Sequence, residues 1–135
     1  MSAQGLSTNE HATLDWLAAQ GGAMQALLKT LVNIDSGSYN KAGVDRAGEA
    51  ICRFFEAQAI GYDIIPNDTF GDAIRATLGP PGDRRILLMG HRDTVYPDGE
   101  ASRRPFRIEG PHGFGPGVAD MKAGLVMNCF VAAAL

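Results

Sequence analysis

Residues 85–95 of the chain read RILLMGHRDTV. The apolar run at 86–89 shows no alternation with polar residues, which is typical of a central strand buried on both faces of a sheet. Polar side chains follow at once, beginning with His91 and Asp93. Open α/β sheets place their functional sites at the exits of such strands. This stretch therefore predicts an α/β protein with a site at the end of a central strand.

The chain before this strand has helical patterns. From His11 to Ile34 apolar residues recur at helical spacing, and Gly21-Gly22 predict a break into two helices. The period resumes from Ala42 to Ala59, and we expect Gly61 to end that third helix.

Short apolar runs separated by turns predict further strands at YDII (62–65), AIRATL (73–78) and FRIE (106–109). A last helix is predicted over 121–135, and it reaches the final residue without a capping Gly, Asn or Pro. We therefore expect the sequence to be the amino-terminal part of something longer.

Composition excludes several classes of protein. With 135 residues, 45% hydrophobic and 20% charged, the chain fits one globular domain or part of one. Its net charge of −3 leaves no basic surplus for nucleic acid, and no apolar run reaches the roughly 20 residues of a membrane span. The first residues lack a secretory pattern, so we expect a cytoplasmic protein. Cys52 and Cys129 lie in apolar helical patterns and are predicted to be buried, reduced thiols.

The first group of candidate site residues is His91 and Asp93. Imidazole is a favoured zinc ligand, and a nearby carboxylate often fixes its orientation. Two residues apart on an extended segment, the two side chains project to the same side. The alternative is a strand-end pair that only forms hydrogen bonds with a loop.

The second group is GPGVADMKAG at 115–124, where glycines flank Asp120 at the entry to the last helix. Glycines let the backbone fold tightly against a site, and a helix N-terminus stabilises a carboxylate. Asp120 by itself would be interpreted as the N-cap of that helix. Together with His91, however, it could form part of a metal site at a sheet edge.

Four stretches resemble the M20 family of dinuclear zinc peptidases. They are LVNIDSGSYN (31–40), LLMGHRDTVYPDG (87–99), PFRIEG (105–110) and GFGPGVADMKAG (113–124). The GPG before Asp120 is most similar to the glutamate carboxypeptidase branch, because deacylases of the acetylornithine type more often carry GRG. The resemblance implies a three-layer α/β fold with a central mixed sheet, of which residues 1–135 would be the amino-terminal part of the zinc-binding catalytic domain.

The resemblance also implies roles for individual residues. His91 would bind one zinc, Asp93 would be the catalytic-site carboxylate that orients His91, and Asp120 would bridge two zinc ions, with cobalt or manganese as possible substitutes. The peptide after Asp120 is typically cis in this family. We expect Lys122 to be a helix-surface or ion-pair residue.

Other parts of the family site are missing from this sequence. Family members supply a Glu-Glu pair, another acidic ligand, a late His and a dimerisation domain further along, whereas only fifteen residues follow Asp120. The remaining histidines do not replace them: His11 is expected on an exposed helix and His112 in a turn. These residues alone are therefore expected to be inactive.

For the complete protein the resemblance implies a homodimer that cleaves a peptide or N-acyl amide bond to a carboxy-terminal amino acid, such as glutamate. Two alternatives stay open. One is a truncated, non-catalytic module or partner-binding remnant, whose last helix would expose Val126, Phe130 and Leu135. The other is an α/β fold without metal, in which Asp120 is an N-cap.

Overall fold

Three helices open the chain in the computed structural model, which describes residues 5–80, 82 and 85–135. They are α1 (Thr8–Ala19), α2 (Gly21–Val32) and α3 (Lys41–Ala57). A capping box starts α1, because the Ser7 hydroxyl accepts from the Glu10 amide while the Glu10 carboxylate accepts from the Ser7 amide at 2.6 Å. The predicted pair of helices in 11–34 is confirmed, with the break at Gln20. Helix α3 ends before Gly61, since Ala59 already has a left-handed φ of 55°.

Two antiparallel hairpins follow. Strand β1 (Tyr62–Ile65) pairs with β2 (Ala73–Ala76), and after the short helix α4 (Glu100–Arg103), β3 (Arg107–Glu109) pairs with β4 (His112–Phe114). The predicted strands at 62–65, 73–78 and 106–109 are thus confirmed in position, although the last two are shorter than expected. His112 lies in β4, so its assignment to a turn was wrong.

The hydrophobic core lies where α5 (Ala123–Ala134) packs against the first three helices. Its buried members are Leu31, Ala47, Ala50, Ile51, Phe55, Val126, Cys129 and Phe130. The expectation that a lone last helix would expose Val126 and Phe130 is wrong, because each side chain is only 3% exposed, whereas Leu135 is exposed. The two cysteines are free and buried, as predicted.

The run at 86–89 is the main departure from the predicted fold. It forms no strand in the described part of the chain, and all four apolar side chains are exposed, Ile86 by 93%. A central strand needs neighbours on both edges and helices on both faces. The described strands instead form two separate two-stranded sheets. The end of the run lies against α5, where the Asn128 side-chain Nδ2 donates to the Met89 carbonyl at 3.1 Å. The described residues therefore form a mixed α/β arrangement without the expected central sheet.

None of the described helices is long and apolar enough to cross a membrane.

Candidate metal centre

The structure brings His91 and Asp120 together, although 28 residues separate them in the chain. The His91 Nε2 atom lies 3.0 Å from Asp120 Oδ1. On the other side of the ring, Nδ1 lies 3.2 Å from Asp93 Oδ1 and 3.1 Å from the Asp93 carbonyl oxygen. All three predicted site residues therefore form one cluster, with the imidazole between two carboxylates.

The loop between α2 and α3 holds the segment that carries His91 and Asp93. The Thr94 amide donates to the Ser36 carbonyl at 2.8 Å, and the Ser38 amide donates back to the Thr94 carbonyl at 3.0 Å. The buried Ser36 hydroxyl donates to the Arg92 carbonyl at 2.9 Å. The Ser38 hydroxyl donates to Asp93 Oδ2 at 2.5 Å. Backbone and side-chain hydrogen bonds from the same loop thus fix residues 92–94.

Asp120 reaches the cluster from a distorted turn at Val118–Lys122, just before α5. The turn begins at Gly117, which has a φ of 72°, and a Cβ there would lie 2.5 Å from the Thr94 side chain. Only glycine allows the turn to approach Thr94 this closely. The Asp120–Met121 peptide is cis, as expected. The N-cap of α5 is Lys122 and the Asp120 carboxylate contacts His91, so the alternative in which Asp120 is the N-cap of the last helix is wrong.

Lys122 anchors the other end of this turn. Its side chain is fully buried, and its Nζ donates to the Leu31 carbonyl at 2.8 Å and to the Ile34 carbonyl at 3.0 Å. These carbonyls belong to the last turn of α2 and the loop after it, where helices leave acceptors without intrahelical partners. Burial lowers the pKa of Lys122 to about 8. The expectation of a surface or ion-pair lysine was wrong, because a flexible apolar stem lets the ammonium reach an internal cap.

Arg92, between His91 and Asp93, fastens the same segment to α3. Its Nε donates to the Val44 carbonyl at 2.9 Å, its guanidinium also donates to the Asp72 carbonyl, and Asp45 lies 3.8 Å away. Burial lowers the pKa of Arg92 despite the nearby carboxylates. The side chains of the segment therefore alternate, with Arg92 pointing to α3 and its two neighbours pointing to the site.

In this cluster the imidazole and the carboxylates shift one another's pKa toward the charged forms. Burial lowers the pKa of His91, but hydrogen bonds to Asp120 and Asp93 outweigh it and raise the pKa overall. For Asp93, burial raises the pKa, and the hydrogen bond from Ser38 together with the nearby imidazole lowers it below its ordinary value. The cluster is therefore an imidazole held by anionic groups, an environment that also suits a cation.

The donor atoms fit one side of a metal site. Two ligands at about 2.0–2.1 Å from a tetrahedral zinc lie roughly 3.3 Å apart, close to the 3.0 Å between His91 Nε2 and Asp120 Oδ1. The second carboxylate oxygen of Asp120 is free for another cation, because the side chain is 88% exposed. Within residues 5–80, 82 and 85–135, however, no group of three or more His, Cys, Asp or Glu is arranged so that it could hold one metal ion. The described residues thus supply two candidate ligands, fewer than catalytic zinc sites use.

Sequence reasoning missed Ser38 and the role of Lys122. Ser38 lies in a turn-rich loop more than fifty residues before Asp93, and a serine in such a loop is ordinary turn chemistry. Lys122 next to a predicted helix start carries no sign of burial. Both residues lie in stretches that resemble the M20 family, which is the only signal in the sequence that could have pointed to them.

The comparisons with known proteins concern the part of the chain that carries these residues. Residues 87–135, which contain His91, Asp93 and Asp120, match Peptidase family M20/M25/M40.

Among individual proteins, the chain is 37% identical over 103 residues to carboxypeptidase G2 of Pseudomonas sp. strain RS-16, an alignment that covers 72% of this chain and 24% of that protein. It is also 38% identical over 109 residues to a Mycobacterium tuberculosis protein that carries the name succinyl-diaminopimelate desuccinylase DapE, covering 81% of this chain and 28% of that protein. The chain spans about a quarter of the length of these relatives.

Proposed function

We propose that this chain belongs to a metal-dependent hydrolase in which His91 and Asp120 bind zinc and Asp93 orients His91. The observation that carries the proposal is the convergence of His91 Nε2 and Asp120 Oδ1 at 3.0 Å, with the opposite ring nitrogen against Asp93. The match of residues 87–135 to the M20 family supports it, because M20 peptidases are generally metal-dependent.

Asp93 and Asp120 have different proposed roles at His91. Asp93 accepts a hydrogen bond from His91 Nδ1, which keeps the unprotonated lone pair on Nε2, the atom that faces Asp120. Asp120 offers two carboxylate oxygens, the number that a bridge between two cations needs. Bound zinc would supply Lewis-acid chemistry there, by lowering the pKa of a bound water and polarising the scissile carbonyl. Binding must first displace any proton held between His91 and Asp120, since metal ligands are deprotonated.

The proposed substrates are peptides or N-acyl amino acids, with cleavage of the amide bond to a carboxy-terminal residue such as glutamate. Likeness to carboxypeptidase G2 and to the DapE protein supports this class of bond. For the complete protein we propose two zinc ions, replaceable by cobalt or manganese, a homodimer and a cytoplasmic location. We also propose a three-layer α/β fold around a central mixed sheet, in which residues 86–89 gain strand neighbours and 1–135 form the amino-terminal part of the catalytic domain.

The test is metal content and hydrolysis in the protein purified with its natural termini. We expect bound zinc and cleavage of an N-acyl glutamate or an N-succinyl amino acid, both lost in His91→Ala and Asp120→Ala. His11→Ala is the matched control, because His11 is exposed on α1. A His91→Ala protein that keeps its zinc and its activity would refute the site. The 135 residues expressed alone are expected to be inactive.

A second candidate function is a non-catalytic module that associates with a partner. It is favoured by the absence of a third converging ligand among the described residues. Zinc titration of the 135-residue chain separates the two: the hydrolase proposal expects weak binding that depends on His91, whereas a module without a metal role expects none.

A further inference from the structure

Ser38 contacts Asp93, the carboxylate that is proposed to orient the ligand His91. Its hydroxyl lies 2.5 Å from Asp93 Oδ2, while the other oxygen of the same carboxylate, Oδ1, lies 3.2 Å from His91 Nδ1. Ser38 and His91 thus hold opposite oxygens of one carboxylate. The resulting series of contacts runs from Ser38 through Asp93 and His91 to Asp120.

The orientation of a carboxylate is otherwise weakly determined. The terminal torsion of Asp is broad and roughly two-fold, so the plane of the group turns easily. A hydrogen bond to one oxygen fixes that plane and therefore the direction of the other oxygen. Ser38 can do this because its own backbone is fixed: its amide donates to the Thr94 carbonyl at 3.0 Å, and Gly37 forms a parallel bridge with Thr94.

We propose that Ser38 is a positioning residue of the metal centre, which fixes the Asp93 carboxylate so that His91 presents Nε2 beside Asp120. The inference rests on the proposed function for its metal, but the orientation of His91 can be observed without metal. Changes to groups that orient a ligand typically weaken metal affinity by 10–100-fold. Because Ser38 acts through Asp93, we expect a loss near the lower end of that range, about 10-fold.

The experiment combines two readouts on the protein with its natural termini. The first is the ¹⁵N chemical shifts of the two His91 ring nitrogens in metal-free protein, which report where the ring proton lies. The second is titration with Co²⁺ followed by visible absorption. The variants are Ser38→Ala, Ser38→Thr, which keeps the hydroxyl, and the control Ser102→Ala, whose serine is exposed on α4. Ser38→Cys, a weaker donor of similar size, serves if Ser38→Ala does not fold.

In wild type, Ser38→Thr and Ser102→Ala, we expect the same ring-nitrogen shifts, with a proton on Nδ1 that Asp93 accepts, and equal Co²⁺ affinity. In Ser38→Ala the Nδ1 shift should move, because Asp93 is less firmly oriented toward that proton, and Co²⁺ affinity should fall about 10-fold. Unchanged shifts and affinity in Ser38→Ala would overturn the inference while leaving the proposed function intact. If wild type binds no Co²⁺, the proposed function fails, and the ring-nitrogen shifts alone decide the role of Ser38.

Discussion

Phe130 packs the last helix, α5, into the hydrophobic core, and its replacement by alanine tests that packing. The side chain is 3% exposed and lies between two aromatic rings, with centroid distances of 4.8 Å to Phe54 on α3 and 6.3 Å to Trp16 on α1. Phe130→Ala therefore removes the contact that joins α5 to two other helices.

The expected cost follows from this burial. Replacing a buried Phe by Ala costs about 3–5 kcal/mol, from lost transfer free energy and the cavity that remains. The two aromatic contacts favour the upper half of that range, since such pairs contribute about 0.5–1.5 kcal/mol beyond burial. We therefore expect the free energy of unfolding to fall by about 4 kcal/mol.

Urea unfolding followed by tryptophan fluorescence is a suitable assay, because the chain has a single tryptophan and Trp16 contacts Phe130. Val131→Ala is the control on the same helix, with a side chain that is 36% exposed and an expected change within about 1 kcal/mol. A Phe130→Ala loss no larger than that of the control would refute the packing of α5 in the core.

Three further predictions concern the site and its supports. Asp93→Asn should weaken Co²⁺ binding by about 10–100-fold, because an amide orients His91 less firmly than a carboxylate does. Calorimetric titration measures the Co²⁺ affinity, with the exposed Asp15→Asn as the control. An Asp93→Asn protein with the same affinity as that control would contradict the prediction. Asp35→Asn should lose about 1–2 kcal/mol in urea unfolding, since the Asp35 carboxylate accepts from two backbone amides at 2.8 Å at the start of α4. Those amides lower the pKa of Asp35 below its ordinary 3.8. The difference in unfolding free energy between wild type and Asp35→Asn should therefore be complete above pH 3.8 and shrink as the pH falls further. A difference that stays constant down to about pH 2 would argue against this role of Asp35. Lys122→Ala should cost at least about 2 kcal/mol in the same assay, because it leaves a cavity and two carbonyls without their donor, whereas a neutral result would show that the lysine is not buried.

Local patterns in the sequence determined four of the helices, three of the strands and the three central site residues. Helical periodicity and turn residues act over a few positions, so α1, α2, α3, α5, β1, β2 and β3 were predictable within a few residues, whereas α4 and β4 were not predicted. His91, Asp93 and Asp120 stood out because their chemistry and flanking glycines differ from their surroundings, and the cis peptide after Asp120 followed from the family resemblance.

Tertiary structure alone decided three features, each of which depends on distant partners. The apolar run at 86–89 lacks strand neighbours among the described residues, so its composition did not make it a central strand. Lys122 is buried because free carbonyls after α2 lie within reach of its ammonium. Ser38 contacts Asp93 because the loop after α2 forms backbone hydrogen bonds with Thr94. Burial and hydrogen bonding are set by what the rest of the chain brings to a position, and a single sequence does not record those partners.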